Sequence, residues 1–314
     1  MKTITLGKST LHPSRLAYGC WRLGGSWEPS EISPEREAVA RKAILTAFEQ
    51  GFTFFDHADI YCHGHSETLF GKVLHEVSGM RDQVTLATKC GIRRKGEPNP
   101  DSPYRYDYSS EHIIQACEGS LRRLGVDTLD LFQLHRYDLL THPEEVARAF
   151  QTLRHQGKAR WFGVSNFTAS QFRTLQSFLN EPLISNQVEI SLIRLDHLLD
   201  GTLDLCLSEK VSPLAWSPLA AGRLASHSAI DLNSPDHAHR AQLRERLDVV
   251  AHARHTSRSV IAIAWLLAHP AGIIPIIGAT TPDHIVDAAK AESLELTREE
   301  WYGLYEAGLG HRLP

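Results

Sequence analysis

Four side chains of this sequence have the types and positions for proton chemistry. Asp56 closes the apolar run Phe52-Thr53-Phe54-Phe55, and Tyr61 follows in the loop after it. Lys89 ends Val84-Thr85-Leu86-Ala87-Thr88, and His135 ends Leu129-Asp130-Leu131-Phe132-Gln133-Leu134. A free phenol has a pKa near ~10, too high to give up its proton readily at neutral pH. A buried Lys89 ammonium within reach of Tyr61 is expected to favour the phenolate and pull that value down. Asp56 is expected to hold the ammonium charged. His135 adds a second donor that orients a carbonyl or shares its developing negative charge. The set suits protonation of the oxyanion formed when hydride reaches a carbonyl carbon.

Residues on separate strand-length segments, each at the same end, require a scaffold that brings those ends together. Strand-like runs fall near 15–20, 52–56, 84–89, 129–134, 160–164, 183–188, 212–216 and 273–277. Helical patterns fall near 36–50, 67–77, 110–124, 143–156, 168–179, 199–208, 240–254 and 282–291, with an extra one near 257–268. Ser110-Glu111, Thr141-His142-Pro143 and Thr281-Pro282 carry helix-start signals. This alternation predicts an α/β fold, a (β/α)8 TIM barrel spanning 1–314 as one domain, with a hairpin in about the first ten residues. No Gly-x-Gly-x-x-Gly opens a helix after a strand, no Gly-x-Ser-x-Gly elbow is present, and there is no P-loop. Long loops at 91–108 and 217–238 leave the catalytic face; the first is expected to shape a substrate side and the second to fold over a cofactor. Trp21, at the end of the first strand, is expected to line the substrate pocket.

Composition narrows the partners. The 314 residues are 42% hydrophobic and 22% charged, with a net charge of −4 and no basic tract that would follow phosphates, so nucleic acid is not expected. The five cysteines are odd in number and never in Cys-x-x-Cys spacing, which reads as free thiols in a reducing compartment. No run approaches the ~20 apolar residues of a membrane span and the N-terminus shows no long apolar h-region, so the expectation is a cytoplasmic enzyme. Nothing decides the oligomeric state.

The string Phe55-Asp56-His57-Ala58-Asp59-Ile60-Tyr61 resembles the Asp-x-Ala-x-x-Tyr segment of the aldo-keto reductase family. Ser66-Glu67 with Phe70-Gly71, Thr88-Lys89, Leu134-His135, Gly163-Val164-Ser165-Asn166-Phe167, Asn186-Gln187-Val188-Glu189 and Ala215-Trp216-Ser217-Pro218-Leu219 follow in the family's order. The likeness covers essentially the whole chain. His-Ala-Asp-Ile-Tyr, Lys-Cys-Gly-Ile and Ala-Trp-Ser are similar to a bacterial, YdhF-like branch. The resemblance implies a barrel that uses a nicotinamide cofactor, usually NADPH, to reduce an aldehyde or ketone, with Asp56, Tyr61, Lys89 and His135 as the catalytic tetrad. It implies that Ser165, Asn166 and Gln187 bind the carboxamide and that Trp216, where many relatives have Tyr, stacks on the ring. Ser217, Pro218, Leu219 and Gly222 would line the pyrophosphate loop, with Arg223 nearby.

The adenine end departs from the family. Gly278 stands where many relatives have Lys, and His284 where they have Arg, which weakens the grip on a 2′-phosphate. Thr280, Thr281 and helix-start N–H groups remain as phosphate donors, so NADPH and NADH are both open. Two rival readings stand beside this one. Asp56-His57 with Cys62-His63-Gly64-His65 suggests a metal-dependent barrel hydrolase, although Lys89, Asn166 and Gln187 are poor metal ligands. The other is a nicotinamide-binding regulatory subunit.

Overall fold

The apolar runs form eight parallel strands that close into a barrel in the computed structural model, which describes residues 1–225 and 236–313. They are β1 (Ala17–Gly19), β2 (Phe54–Asp56), β3 (Thr85–Cys90), β4 (Leu129–Leu134), β5 (Ala159–Ser165), β6 (Leu183–Glu189), β7 (Ser212–Trp216) and β8 (Ile274–Ile277). Each pairs in parallel with the next in sequence, and β1 with β8 closes the ring. Both faces are covered, so the strands are largely buried, with apolar residues predominating and buried polar ones such as Lys89, Gln133 and Gln187 gathered toward their C-terminal ends. The barrel interior is filled by Ala17, Phe54, Ala87, Leu131, Ile184, Leu214 and Ile274. Outward neighbours such as Phe55, Leu86 and Phe132 pack under the helices.

This interior layer explains where the chemistry sits. Side chains along a strand alternate with period two. Inward Phe54 therefore puts Asp56 inward one layer higher, Ala87 does the same for Lys89, and Leu214 for Trp216. Leu131 leads through Gln133 to His135, just past the end of β4.

The N-terminal hairpin extends beyond its expected ten residues. Ile4 N–H donates to Pro13 O (2.9 Å) and Arg15 N–H to Lys2 O (3.0 Å). Its Leu6 enters the barrel interior from the opposite end, and Gly7 N–H donates to Ser212 Oγ (2.8 Å). Gly7 has φ +55°, and a Cβ there would stand 2.4 Å from Ile184 O, so the plug requires glycine.

Most helices fall where expected. The helix Ser110–Leu124 is capped by Ser109 rather than Ser110, its side chain accepting from His112 N–H. Two further α-helices of the described residues, the single turn Met80–Gln83 and Arg298–Leu309, lie outside the expected set, although the capping box of Thr297 and Glu300 on the second is a readable Thr-x-x-Glu signal. The 91–108 loop contains a small ladder of Ile92–Arg93 against Arg105–Tyr106. In the second long loop, residues 226–235, the middle of the segment expected to fold over a cofactor, lie outside the described residues. Among the described residues no helix is long and apolar enough to cross a membrane.

Candidate active site

At the C-terminal mouth of the barrel Lys89, fully buried, donates from Nζ to Asp56 Oδ2 (2.7 Å) and to the carbonyl of His57 (2.6 Å). Burial disfavours the ammonium charge, but the Asp56 carboxylate and the Tyr61 phenol more than offset it and hold Lys89 above the ordinary lysine value. Tyr61 is partly buried, with Lys89 Nζ 5.0 Å from its ring centroid and the His135 ring edge-on at 5.9 Å. Three elements thus bring the expected tetrad together.

One expectation is corrected here. The Tyr61 phenol is not drawn below its ordinary value: burial pushes it up to about 12, with Lys89 pulling down and Asp56 pushing up. Desolvation of a would-be phenolate outweighs one ammonium that already belongs to a carboxylate. His135 is held neutral, because burial and then the Lys89 and Arg136 charges drive its pKa well below the usual imidazole range. Its Nδ1 is buried without a partner. A neutral imidazole and a protonated phenol are both able to donate to a carbonyl oxygen in this mouth.

The side chains expected around a carboxamide form one network. Gln187 Nε2 donates to Asp56 Oδ1 (2.9 Å), and Ser165 Oγ donates to Gln187 O (2.9 Å). Asn166 Nδ2 donates to Ser165 Oγ (2.8 Å) and His135 O (3.1 Å), while its Oδ1 accepts from Trp216 Nε1 (3.1 Å). The Asp56–Gln187 bond joins the two groups of residues and has no signal in the sequence.

Past Trp216 the chain turns left-handed at Ser217 (φ 52°), Ala220 (φ 52°), Ala221 (φ 57°) and Gly222 (φ 93°). Turns of this kind can point successive N–H groups at an anion. On the neighbouring strand end, a Cβ at Gly278 would meet nothing within 4 Å, and the Thr281 hydroxyl makes no capping bond to the helix Pro282–Ala289. Thr280 is half-buried and His284 exposed beside it. An aromatic ring, a left-handed loop and an open helix start on adjacent strands fit a dinucleotide. Trp216 and the Asn166 and Gln187 amides would hold its nicotinamide, 217–223 and 278–284 its phosphates.

The histidines of the rival metal reading do not converge. His63 is exposed, and His65 Nε2 faces Glu37 at 3.6 Å. Among the described residues no group of three or more His, Cys, Asp or Glu is placed to hold a metal ion. All five cysteines are free and buried. Trp21 lies exposed at the rim, edge-on to Trp27 at 5.6 Å. Tyr104 and Tyr106 lie in the 91–108 loop expected to shape the substrate side, edge-on to each other at 6.2 Å; Trp27 and Arg136 were not singled out from sequence, since loops at a barrel mouth carry no periodic signal.

A closed eight-stranded barrel with a buried lysine–aspartate pair beneath a tyrosine defines a barrel oxidoreductase rather than a Rossmann enzyme. Residues 15–307 match the aldo/keto reductase family, and the chain belongs to it. It is 40% identical to a 6-dehydroglucose reductase of Novosphingobium aromaticivorans, over 98% of this chain and 96% of that protein. It is 39% identical to the oxidoreductase YdhF of Escherichia coli, over the whole of both. The solved glycerol dehydrogenase of Gluconobacter oxydans superposes with a TM-score of 0.87 at 27% identity, covering 99% of this chain and 96% of that one. The protein is an NAD(P)H-dependent oxidoreductase of carbonyl compounds.

Proposed function

We propose that this enzyme reduces a small aldehyde or ketone to an alcohol, with Tyr61 as the general acid. A nicotinamide held by Ser165, Asn166, Gln187 and Trp216 would supply the hydride for the carbonyl carbon. Tyr61 and neutral His135 donate to the carbonyl oxygen, and as negative charge grows there Tyr61 gives up its proton. Lys89, held charged by Asp56, stabilises the phenolate left behind. A phenol raised to about 12 keeps its proton until an alkoxide, a far stronger base, develops beside it. The observation that carries this reading is the buried Lys89–Asp56 pair set against the Tyr61 ring.

Ser165, Asn166, Gln187 and Trp216 bind the nicotinamide in this reading, and Ser217, Pro218, Leu219, Gly222 and Arg223 the pyrophosphate. NADPH and NADH are both cofactors, because Gly278 and His284 supply no permanent cation for a 2′-phosphate. The named 6-dehydroglucose reductase among the relatives makes hydroxylated aldehydes the first neutral substrates to assay. The site of action is the cytoplasm.

Tyr61→Phe tests the assignment. Carbonyl reduction is expected to fall by about 10²- to 10⁴-fold, with quenching of tryptophan fluorescence by NADPH or NADH retained. Turnover equal to the wild type removes Tyr61 from the mechanism.

A further inference from the structure

Arg136 directly follows His135 and is only partly exposed. Its backbone is anchored: its N–H donates to Tyr108 Oη (2.9 Å), and Tyr108 is itself buried. The Tyr108 ring lies so close over Gly91 that a Cβ there would stand 1.9 Å from it. The guanidinium sits over the Trp216 ring, 5.7 Å from its centroid. No carboxylate of the described residues pairs with it. Three acids of the neighbouring loops, Asp138, Asp107 and Glu97, are engaged elsewhere. Asp138 accepts from Tyr108 N–H, Leu140 N–H and the Thr141 hydroxyl, Asp107 from Arg93 and Ser109, and Glu97 from Arg94.

Two more cations on the mouth loops lack a carboxylate among the described residues. Arg22 lies over the Trp21 ring at 5.2 Å. Arg105 donates only to the carbonyls of Glu97 (2.7 Å) and Pro103 (3.3 Å). A chain of net charge −4 thus gathers at the rim of its reactive cleft positive charge that no carboxylate of the described residues pairs with, which concentrates anions there. An aromatic ring attracts a cation without neutralising it, and a guanidinium fork matches the paired oxygens of a carboxylate or phosphate.

We propose that Arg136 determines the substrate class: the carbonyl compound reduced here carries a carboxylate or phosphate, and Arg136 holds it while the carbonyl meets Tyr61 and His135. This rests on the carbonyl-reduction reading and narrows it.

The test compares kcat/KM of the full chain for matched pairs, succinic semialdehyde against butanal and glyceraldehyde 3-phosphate against glyceraldehyde, with each cofactor at saturation. In the wild type the anionic member is expected to lead by on the order of tenfold or more, and the lead is expected to shrink as salt is added. Arg136→Met is expected to bring the ratio close to one, with Arg136→Lys intermediate. A lead for succinic semialdehyde alone assigns the group to carboxylate, and a lead for the triose phosphate alone assigns it to phosphate; both support the role of Arg136. Neutral members that equal or outrun their anionic partners overturn the proposal, as does a ratio that survives Arg136→Met. So does an Arg136→Met variant that loses cofactor affinity by the same factor, since the arginine would then serve the dinucleotide. Failure of all four compounds counts against the reductase reading instead. Calorimetric titration with succinate and with inorganic phosphate then judges Arg136 alone: affinity lost in Arg136→Met supports the role, and equal affinity overturns it.

Discussion

Tyr61 keeps its proton because burial disfavours a phenolate there more than Lys89 favours it, and this has a consequence for pH. With the phenol at about 12, it contributes no falling limb to the rate of reduction below roughly pH 11. Asp59 does titrate in the working range. Its Oδ1 is buried without a partner, and burial with Glu67 nearby pushes it up to about 8 against the pull of Arg123. Asp59 sits two residues before Tyr61, and its N–H donates to Lys89 O (3.0 Å). A limb in kcat/KM near pH 8 is therefore expected to belong to Asp59 and to vanish in Asp59→Asn. A limb at that pH that persists in the variant contradicts the assignment of Tyr61 as a high-pKa acid.

At the scale of elements, the turn that presents Tyr61 is unusual. Cys62 (φ 46°), His63 (φ 54°) and Gly64 (φ 85°) follow in left-handed conformation, a run that L-residues adopt only under constraint. The constraint comes from below. Glu67, fully buried, accepts from Thr88 Oγ1 (2.6 Å) and Arg123 Nε (2.7 Å), and the Arg123 side chain lies against Gly64. Gly64→Ala brings a Cβ to 2.6 Å from Arg123 Nε in a conformation that L-residues avoid. It is expected to destabilise the fold by roughly 2 kcal/mol or more and to lower kcat by misaiming Tyr61. An unchanged denaturation midpoint would show that Arg123 simply swings away.

Across the whole molecule, buried neutral histidines set the acid limit. Burial lowers His57 to about 3 and His112 to about 4, and His135 lies well below the usual range. Below pH ~6.5 the unfolded chain protonates all three while the folded protein does not, so stability falls with pH at about 1.4 kcal/mol per histidine per unit. Asp59 acts in the opposite sense. Its folded carboxyl takes its proton near 8 and its unfolded one near ~3.9, so it favours the fold as pH falls between those values. Three groups against one predict a urea midpoint that drops between pH 6.5 and 4.5 and drops less steeply in His57→Leu. A midpoint flat over that interval refutes the prediction. Cofactor binding is a second whole-molecule readout. At 100 times its Kd, NADH or NADPH is expected to add about 2.7 kcal/mol to stability. Without a fixed cation at 278 or 284, the two cofactors are expected to bind within about tenfold of each other; a much larger gap by fluorescence titration counts against dual use.

The barrel, its eight strands and the tetrad were legible in the chain because each depends on local rules. Apolar runs of strand length alternate with helical patterns, and a period of two carries inward Phe54, Ala87 and Leu214 to inward Asp56, Lys89 and Trp216. The charge of His135, the rise of Tyr61 and the tie between Asp56 and Gln187 were not legible. The first two depend on how much water the closed barrel excludes, and the last joins residues 131 positions apart. Arg136 over Trp216 is of the same kind, a contact between the loop after one strand and the end of another. Sequence by itself determined which strand each reactive group ends, since pattern and period act over a few residues. Only the tertiary structure decided how those groups titrate and which partners they meet, because desolvation and close approach exist only once the barrel has closed.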